Sequence, residues 1–286
     1  MIERRQDGCA DGPFASPAAR PTSAMTNRAP LEDVSDPVPR VAARTGSPNR
    51  LGVLATWGGA AVFAGSLLSF GIVYQADTWG FGASGGAVWP AMAVNLTLFG
   101  VFAGHHSLLA RSPVKRYLAE RLPEAAGRTA YVWAASILFA VLALTWRPLP
   151  GHLYQVGAPG SWAFLAVQAA GLCLILWSVS QIDLGELAGV DGHALARTLS
   201  PERETRSPIT SQGPYGVVRH PIYLGWVLLV AAHPHMTASR LLFVALSVGY
   251  LATASRWEEA SLLREHGRSY RDYRKRVRWR ILPGVY

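Results

Sequence analysis

Residues 210–225 read T-S-Q-G-P-Y-G-V-V-R-H-P-I-Y-L-G, and this stretch decides both how the chain folds and what chemistry it can carry. A basic residue, a His-Pro step, an aromatic residue and a glycine lead into one apolar segment, and the paired acids Glu258 and Glu259 follow the next one. Pro221 suits the first turn of a helix, because its missing N–H has no helical partner there. Membrane packing alone does not require this combination, so we predict a functional site where these segments reach the membrane surface.

Outside this stretch, the composition is that of a membrane protein. Of the 286 residues, 50% are hydrophobic and only 16% are charged, and the mean hydropathy is +0.17. Such values argue against a soluble globular domain. About 20 apolar residues are needed to cross a hydrocarbon core. The apolar segments are residues 51–74, 87–109, 129–146, 161–182, 222–232 and 241–254.

The last two apolar segments are shorter than the others. The turn-like residues His233-Pro234-His235-Met236 join them, so we expect a tilted hairpin there rather than two full spans. We therefore predict an all-α integral membrane protein with about six transmembrane helices, the last two a short hairpin.

The placement of Lys and Arg predicts the orientation in the membrane. The net charge is +9, and with six crossings all 27 Lys and Arg except Arg147 and Arg240 fall on one side. The positive-inside rule places that side, and both chain termini, in the cytoplasm. The positive net charge is therefore explained by membrane orientation, and we expect no nucleic acid as a partner. Membrane lipid is expected, because the basic C-terminal segment can attract anionic headgroups, while no protein partner can be inferred.

Residues 1–50 have a different character from the rest. They are rich in Pro, Ala, Arg, Ser and Asp and show no apolar periodicity, so we predict a disordered tail preceding a membrane domain at 51–286. They contain no apolar core of about 7 to 15 residues, so no cleavable signal peptide is expected. Cys9 and Cys173 lie far apart, which predicts neither a disulfide nor a metal site.

Arg219 and His220 are the candidate catalytic residues. They begin a helix, where the backbone N–H groups and the dipole favour an anionic group, and Arg219 can clamp a carboxylate with two hydrogen bonds. The plainer interpretation of Arg219 alone is an anchor that reaches to the membrane surface. Gly225, which we count with the cofactor-binding residues, permits close approach of a ligand; packing against another helix explains it equally well.

Glu258 and Glu259 are the candidate acids. The predicted hairpin brings its two ends together, so these acids are expected close to Arg219. Carboxylates at this boundary can bind a ribose diol or an ammonium group. The alternative is a solvated helix end in which they pair with Arg256 or Arg264.

Tyr215 and Tyr223 add aromatic rings to the same boundary, and the whole set suits a zwitterionic, ribose-bearing cofactor. The sequence has no glycine-rich dinucleotide loop and no spacing typical of metal ligands. His105 and His106 are adjacent and point to different helix faces, so they would chelate a metal poorly.

Three motifs in fixed order strongly resemble the isoprenylcysteine carboxyl methyltransferase superfamily, which includes phospholipid methyltransferases. They are T-S-Q-G-P-Y-G-V-V-R-H-P-I-Y-L-G-W, W-E-E-A-S-L-L and H-G-R-S-Y-R-D-Y-R-K-R-V, within about residues 205–282. The resemblance implies S-adenosylmethionine as the cofactor. It also implies cofactor contacts, partly through backbone atoms, from Tyr215, His220, Pro221, Ile222, Tyr223 and Glu258. Arg219 matches an active-site arginine of the pattern, and Glu259 accompanies Glu258.

The upstream part is similar to the bacterial methanethiol S-methyltransferase branch of that superfamily. The motifs are G-H-H-S-L-L-A-R-S-P-V-K-R-Y (104–117), R-T-A-Y-V-W-A-A-S (128–136) and T-W-R-P-L-P-G (145–151). The implied activity is methyl transfer to a small thiol such as methanethiol, giving dimethyl sulfide. A bacterial inner membrane, with the active site facing the cytoplasm, is the implied location.

Two departures from that branch leave the methyl acceptor open. Gln181 begins the run Q-I-D-L-G where the branch carries a histidine, and the tail reads V-R-W-R-I-L-P-G in place of the usual Val-Pro ending. Carboxyl methylation of isoprenylcysteine and N-methylation of an aminolipid therefore remain alternatives with the same cofactor site. A non-enzyme alternative is a membrane protein of the nitric-oxide-response type, which shares a similar early G-H segment.

Overall fold

The computed structural model of this protein describes residues 50–76, 87–109, 124–182 and 209–286. The disorder predicted for residues 1–50 lies outside the described residues. The helices are α1 (Arg50–Gln75), α2 (Val88–Leu109), α3 (Glu124–Thr145), α4 (Gly160–Ser180), α5 (Pro221–Ala231), α6 (Ala238–His266) and α7 (Arg268–Arg276). The strands are β1 (His152–Gln155) and β2 (His235–Thr237).

Each of the predicted apolar segments coincides with one of the helices α1 to α6. Among the described residues, four helical stretches are long and apolar enough to cross a membrane: Leu54–Gln75, Val88–Leu108, Gly160–Ser180 and Ala238–His266. Thr129–Thr145 and Pro221–Ala231 are shorter apolar helices. The mostly helical architecture with membrane-spanning segments is thus confirmed, while six crossings and the orientation of the termini stay predictions.

The prediction of a short final helix is wrong. Helix α6 has 29 residues, and Glu258 and Glu259 lie inside it rather than at its end. The helix continues to His266 and stops at Gly267, whose φ of 52° is a backbone conformation that favours glycine. The acids interrupted the apolar run without interrupting the helix, because Glu is itself a good helix former.

The all-α prediction also needs a correction, because β1 and β2 form a two-stranded antiparallel sheet. His152 pairs with Thr237, Tyr154 with Met236 and Gln155 with His235. Half of the turn expected between the last two apolar segments is therefore strand. Strands of three or four residues are too short to show an alternating pattern in the sequence.

The contact between α4 and α5 is unusually close and depends on two glycines. A Cβ atom on Gly225 would lie 2.6 Å from the backbone oxygen of Gly171, and one on Gly171 would lie 2.7 Å from the oxygen of Gly225. Small residues let helices in a membrane approach to backbone contact. Of the two explanations for Gly225, the structure therefore shows helix packing.

A cluster of aromatic residues joins α1, α2, α3, α5 and α6. The ring centroid of Phe70 lies 5.1 Å from those of both Tyr74 and Trp226, and 5.3 Å from that of Phe243. Apolar side chains also cover much of the outer surface, where Leu54, for example, is 67% exposed. An apolar outer face is what a lipid-facing helix presents.

Arg240, in the first turn of α6, is completely buried. Its Nη1 donates to the carbonyl of His235 at 2.9 Å, and its Nη2 donates to those of Tyr74 at 3.0 Å and Ala76 at 3.2 Å. The end of α1 carries partial negative charge from its unpaired carbonyls, which suits a cation. The sequence reasoning counted Arg240 among the charges outside the membrane core, whereas the structure places it inside the protein.

We expect Arg240→Ala to lower the free energy of unfolding by about 3 kcal/mol, because three carbonyls lose the hydrogen bonds of a buried donor. Chemical or thermal unfolding of the detergent-solubilised protein measures the change. Arg271→Ala, which removes an exposed arginine from α7, is the matched control. Equal stability of the two variants would show that Arg240 does not connect α1 to α6.

Candidate functional site

Two segments distant in sequence run side by side at the start of α5. Val218 and Trp279 form a parallel bridge. The N–H of Arg219 donates to the carbonyl of Trp279 at 3.0 Å, and that of His220 donates to Arg280 at 2.9 Å. The segment 277–286 therefore fixes the backbone of the two candidate catalytic residues.

Glu259 is the centre of an ion-pair network beneath this backbone pairing. Its side chain is 3% exposed. Its Oε1 accepts hydrogen bonds from Arg219 Nε at 2.7 Å and Arg280 Nε at 3.0 Å, and its Oε2 accepts from Arg280 Nη2 at 3.1 Å. A buried carboxylate is tolerated only when it is paired in this way. Glu259 thus ties α6 to the start of α5 and to the C-terminal segment.

The carboxylate that Arg219 clamps is the protein's own. Besides its bond to Glu259, Arg219 donates from Nη1 to the carbonyls of Val277 at 2.8 Å and Arg278 at 2.7 Å. Its side chain is 7% exposed, so it does not anchor the helix by extending into the membrane surface. The geometry makes Arg219 a residue that positions Glu259 and the C-terminal segment.

Glu258 differs from its neighbour, because its side chain is 49% exposed. The Tyr223 hydroxyl donates to Glu258 Oε2 at 3.0 Å, and His220 Nδ1 lies 3.4 Å from the same oxygen. His220 also stacks on Tyr223 with ring centroids 5.1 Å apart. Glu259 is thus a buried, structural carboxylate. Glu258 is an open carboxylate that its neighbours hold in place and that a ligand can reach.

The alternative pairing of these acids with Arg256 or Arg264 is not what the structure shows. Arg256 Nε donates to the Tyr286 hydroxyl at 2.9 Å, and Arg264 Nη2 donates to Ser261 at 2.8 Å.

Electrostatics set the protonation of two groups beside Glu258. Burial alone would lower the pKa of His220, but its contacts with the carboxylates of Glu258 and Glu259 outweigh burial, and its pKa is raised. Burial, followed by the charge of Glu258, raises the pKa of Tyr215 to about 12. His220 is therefore favoured as a cation, whereas Tyr215 remains a neutral phenol.

The structure brings most of the predicted site residues together. Tyr215 lies in a short 3-10 turn (Gly213–Gly216). Its backbone carbonyl accepts a hydrogen bond from the Tyr273 hydroxyl at 2.8 Å. Pro221 and Ile222 form the first turn of α5. Only Gly225 points away, towards α4.

Arg280 and Tyr286 are site residues that sequence reasoning missed. Arg280 donates to Glu259 and, from Nη1, to the Tyr286 hydroxyl. The Tyr286 hydroxyl donates to the carbonyl of Ala252 in α6 at 3.1 Å. The available signal was the unusual V-R-W-R-I-L-P-G tail, which alternates basic and apolar residues after a helix.

A cavity of about 600 Å³ lies between α2 and α6 and ends close to this site. Apolar and small side chains line most of it, among them Phe99, Leu246 and Gly249, together with Tyr250 and Trp257. Trp257 directly precedes Glu258. The cavity wall and the open carboxylate are therefore one residue apart on α6.

The residues around Glu258 fit a cationic ligand that carries hydroxyl groups. An open carboxylate accepts hydrogen bonds from a ribose diol or an ammonium group. The rings of Tyr215 and Tyr223 offer aromatic faces, which attract a positively charged centre.

Comparison with curated proteins gives several similar sequences. The chain is 36% identical over 189 residues to methanethiol S-methyltransferase 2 of Bradyrhizobium diazoefficiens, covering 65% of this chain and 71% of that protein. It is 38% identical over 191 residues to methanethiol S-methyltransferase of Mycobacterium tuberculosis, covering 66% and 78%. It is also 28% identical over 220 residues to a nurim homolog of Drosophila melanogaster, covering 71% and 86%. No family model and no solved structure matches the chain.

The raised pKa of His220 predicts a pH-dependent stability. The protonated form is favoured in the folded state, so its contribution is complete below the ordinary pKa of about 6.5 and is lost as pH rises through the raised value. We expect His220→Asn to destabilise the protein most near pH 6 and less near pH 9, by about 1.4 kcal/mol for each unit of pKa shift.

Unfolding measurements on detergent-solubilised protein across that pH range give the difference. His152→Asn, in the exposed strand β1, controls for the loss of an imidazole. A destabilisation by His220→Asn that stays constant or grows with pH would contradict the assignment.

Proposed function

The chain belongs to the methanethiol S-methyltransferase family, and from this membership we propose that it is a membrane-embedded, S-adenosylmethionine-dependent enzyme that methylates a small thiol such as methanethiol. The single observation that carries the proposal is the open carboxylate of Glu258. Tyr223 and His220 hold this carboxylate in place beside aromatic rings. A methyl donor with a ribose and an ammonium group finds its hydrogen-bond acceptor there.

In this proposal the protein's own residues bind and orient. When bound, S-adenosylmethionine supplies a methyl group attached to a positively charged sulfur. Glu258 would accept hydrogen bonds from the cofactor, and the aromatic rings of Tyr215 and Tyr223 would interact favourably with its positive charge. Glu259, Arg219 and Arg280 fix the rotation of α6, because any turn of that helix would break their ion pairs. Transfer then needs the acceptor sulfur held about 3–3.5 Å from the methyl carbon.

The proposal includes the location of the reaction. Six crossings with both termini in the cytoplasm would place the domain 51–286 in a bacterial inner membrane, with Glu258 reached from the cytosol. The basic residues close to the site, such as Arg274 and Arg280, support this orientation. A polar cofactor and an apolar acceptor would then arrive from different sides.

The decisive experiment supplies methanethiol and labelled S-adenosylmethionine to membranes that contain the protein. Labelled dimethyl sulfide in the collected vapour is the expected result, and it should be lost in Arg219→Ala. Label in extracted lipid or in prenylcysteine, without volatile label, would show that the protein is a methyltransferase with a different methyl acceptor. No transfer and no cofactor binding would refute the proposal and favour a non-enzymatic role.

We predict that Glu258→Gln weakens S-adenosylmethionine binding by about tenfold to a hundredfold, because a hydrogen bond to a charged acceptor contributes roughly 1.5–3 kcal/mol. Equilibrium binding to the solubilised protein measures this, and methyl transfer should fall with it. Glu265→Gln removes an exposed carboxylate from the same helix and is the matched control. Equal affinity in the two variants would show that Glu258 does not contact the cofactor.

The cavity between α2 and α6 favours a second candidate function, methylation of a lipophilic acceptor. Its volume of about 600 Å³ is far more than a thiol with one carbon atom needs, and ligand pockets of drug-sized molecules begin at about half that volume. Its apolar lining suits an alkyl or prenyl chain that enters from the lipid. Carboxyl methylation of isoprenylcysteine and N-methylation of an aminolipid are reactions of this class.

Gly249→Leu tests the second candidate, because Gly249 lines the cavity and has open space around it, so the new side chain fills the cavity without a clash. If a lipophilic acceptor binds there, its methylation should fall by about tenfold or more while methanethiol methylation persists. Gly71→Leu, in α1 and also surrounded by open space, is the matched control. Unchanged methylation of lipophilic acceptors by Gly249→Leu would exclude the cavity as their binding site.

A further inference from the structure

A second polar group lies in the helices beside the site and has no role in cofactor binding. His106 of α2 is exposed, and its Nδ1 lies 2.8 Å from the hydroxyl of Tyr131 in α3. Its ring also contacts Tyr250 of α6 in an edge-on arrangement, with centroids 6.4 Å apart. Polar side chains in membrane-spanning helices are costly and usually functional.

This group contacts Tyr250, which lines the cavity between α2 and α6. The ring centroids of His106 and Tyr131 lie 5.7 Å apart, and Glu258 accepts a hydrogen bond from Tyr223. The Tyr250 hydroxyl lies 3.1 Å from Ser107 Oγ, and both residues line the cavity between α2 and α6. Two polar pairs, His106 with Tyr131 and Ser107 with Tyr250, therefore lie next to each other at the end of α2.

Methylation of a thiol requires a proton acceptor, because the thiolate is the nucleophile and alkyl thiols are protonated at neutral pH. Arg219 is always protonated and is bonded to Glu259 through Nε. His220 is buried between two carboxylates that favour its cationic form. Neither residue is free to accept a proton.

His106 has the geometry of a base. In the tautomer that carries its proton on Nδ1, the ring donates to the Tyr131 oxygen, and Nε2 keeps the lone pair that accepts a proton. The contact with Tyr131 thus orients the ring. The neighbouring His105 stacks on Tyr131 at 5.9 Å, but its Nδ1 is buried.

We propose that His106, held by Tyr131, is the base that removes the proton from the acceptor thiol, an inference that rests on the proposed function. The thiol proton moves to Nε2 of His106. The freed electron pair on the thiol sulfur forms the new bond to the methyl carbon as the bond from that carbon to the cofactor sulfur breaks, and its electron pair stays on the departing thioether. The groups that face His106 are Tyr131, Tyr250, Glu258 and the adjacent His105.

The test compares two thiols that differ in acidity, methanethiol and 2,2,2-trifluoroethanethiol. His106→Gln should lower the rate with methanethiol by about a hundredfold, the effect typical of losing a general base. The loss should be much smaller with the fluorinated thiol, because more of it is already ionised. Tyr131→Phe should lower the rate with methanethiol by less than His106→Gln. The acidic limb of the pH–rate profile should also disappear in His106→Gln.

A readout without the cofactor supports the same assignment. Thiophenol is added to the solubilised protein, and its thiolate absorbance is followed as a function of pH. Wild-type protein should shift ionisation of the bound thiol to lower pH, and His106→Gln should remove that shift. His105→Gln, which also removes an imidazole from α2, is the matched control and should keep it.

Equal losses with the two thiols in His106→Gln, or full activity with methanethiol, would overturn the proposal. Such a result leaves the proposed function intact, because the wild-type protein still methylates a thiol. If the wild-type protein methylates neither thiol, the proposed function fails and the assignment of His106 fails with it.

Discussion

The structure around the site depends on one constraint, the burial of the Glu259 carboxylate. A charge removed from water must be paired, and leaving it unpaired costs several kcal/mol. Glu259 meets this requirement with Arg219 from the start of α5 and Arg280 from the C-terminal segment. Three parts of the chain that are distant in sequence are thus forced to meet at one point. These contacts therefore also determine the position of the open carboxylate of Glu258, the adjacent residue on α6.

Helix α6 is fixed by charge at a second point. Arg240 in its first turn binds the carbonyls at the end of α1, and Glu259 lies five turns further along. Arg240 is paired with backbone carbonyls and Glu259 with arginines, and these partners belong to other parts of the chain. Between the two anchors the same helix contributes Gly249 and Tyr250 to the wall of the cavity. A helix held firmly near both ends can leave space along its middle.

Much of this arrangement could be predicted from the sequence, because the signals are local. Apolar segments predicted the positions of α1 to α6, and the residues around Arg219 and Glu258 predicted that two distant motifs converge. The unpredicted parts depend on contacts between distant residues. No sequence pattern tells which acid of an adjacent pair faces inward, and that choice rests on Arg280, which comes 21 residues after Glu259. The short strands were missed for the same reason, since each pairs with a distant segment, whereas the true end of α6 was missed because its acids end the apolar run before the helix ends.

The adjacency of a buried and an exposed acid on one helix has a consequence for how this chain can change length. Neighbouring residues on a helix are separated by about 100° of rotation. Insertion of one residue between Arg240 and Glu258 would turn the pair past its arginines, and the open acid would move away from Tyr223. The spacing within α6 is therefore a constraint separate from the identity of its residues: a change in the number of residues between Arg240 and Glu258 disrupts the site even when every side chain is kept.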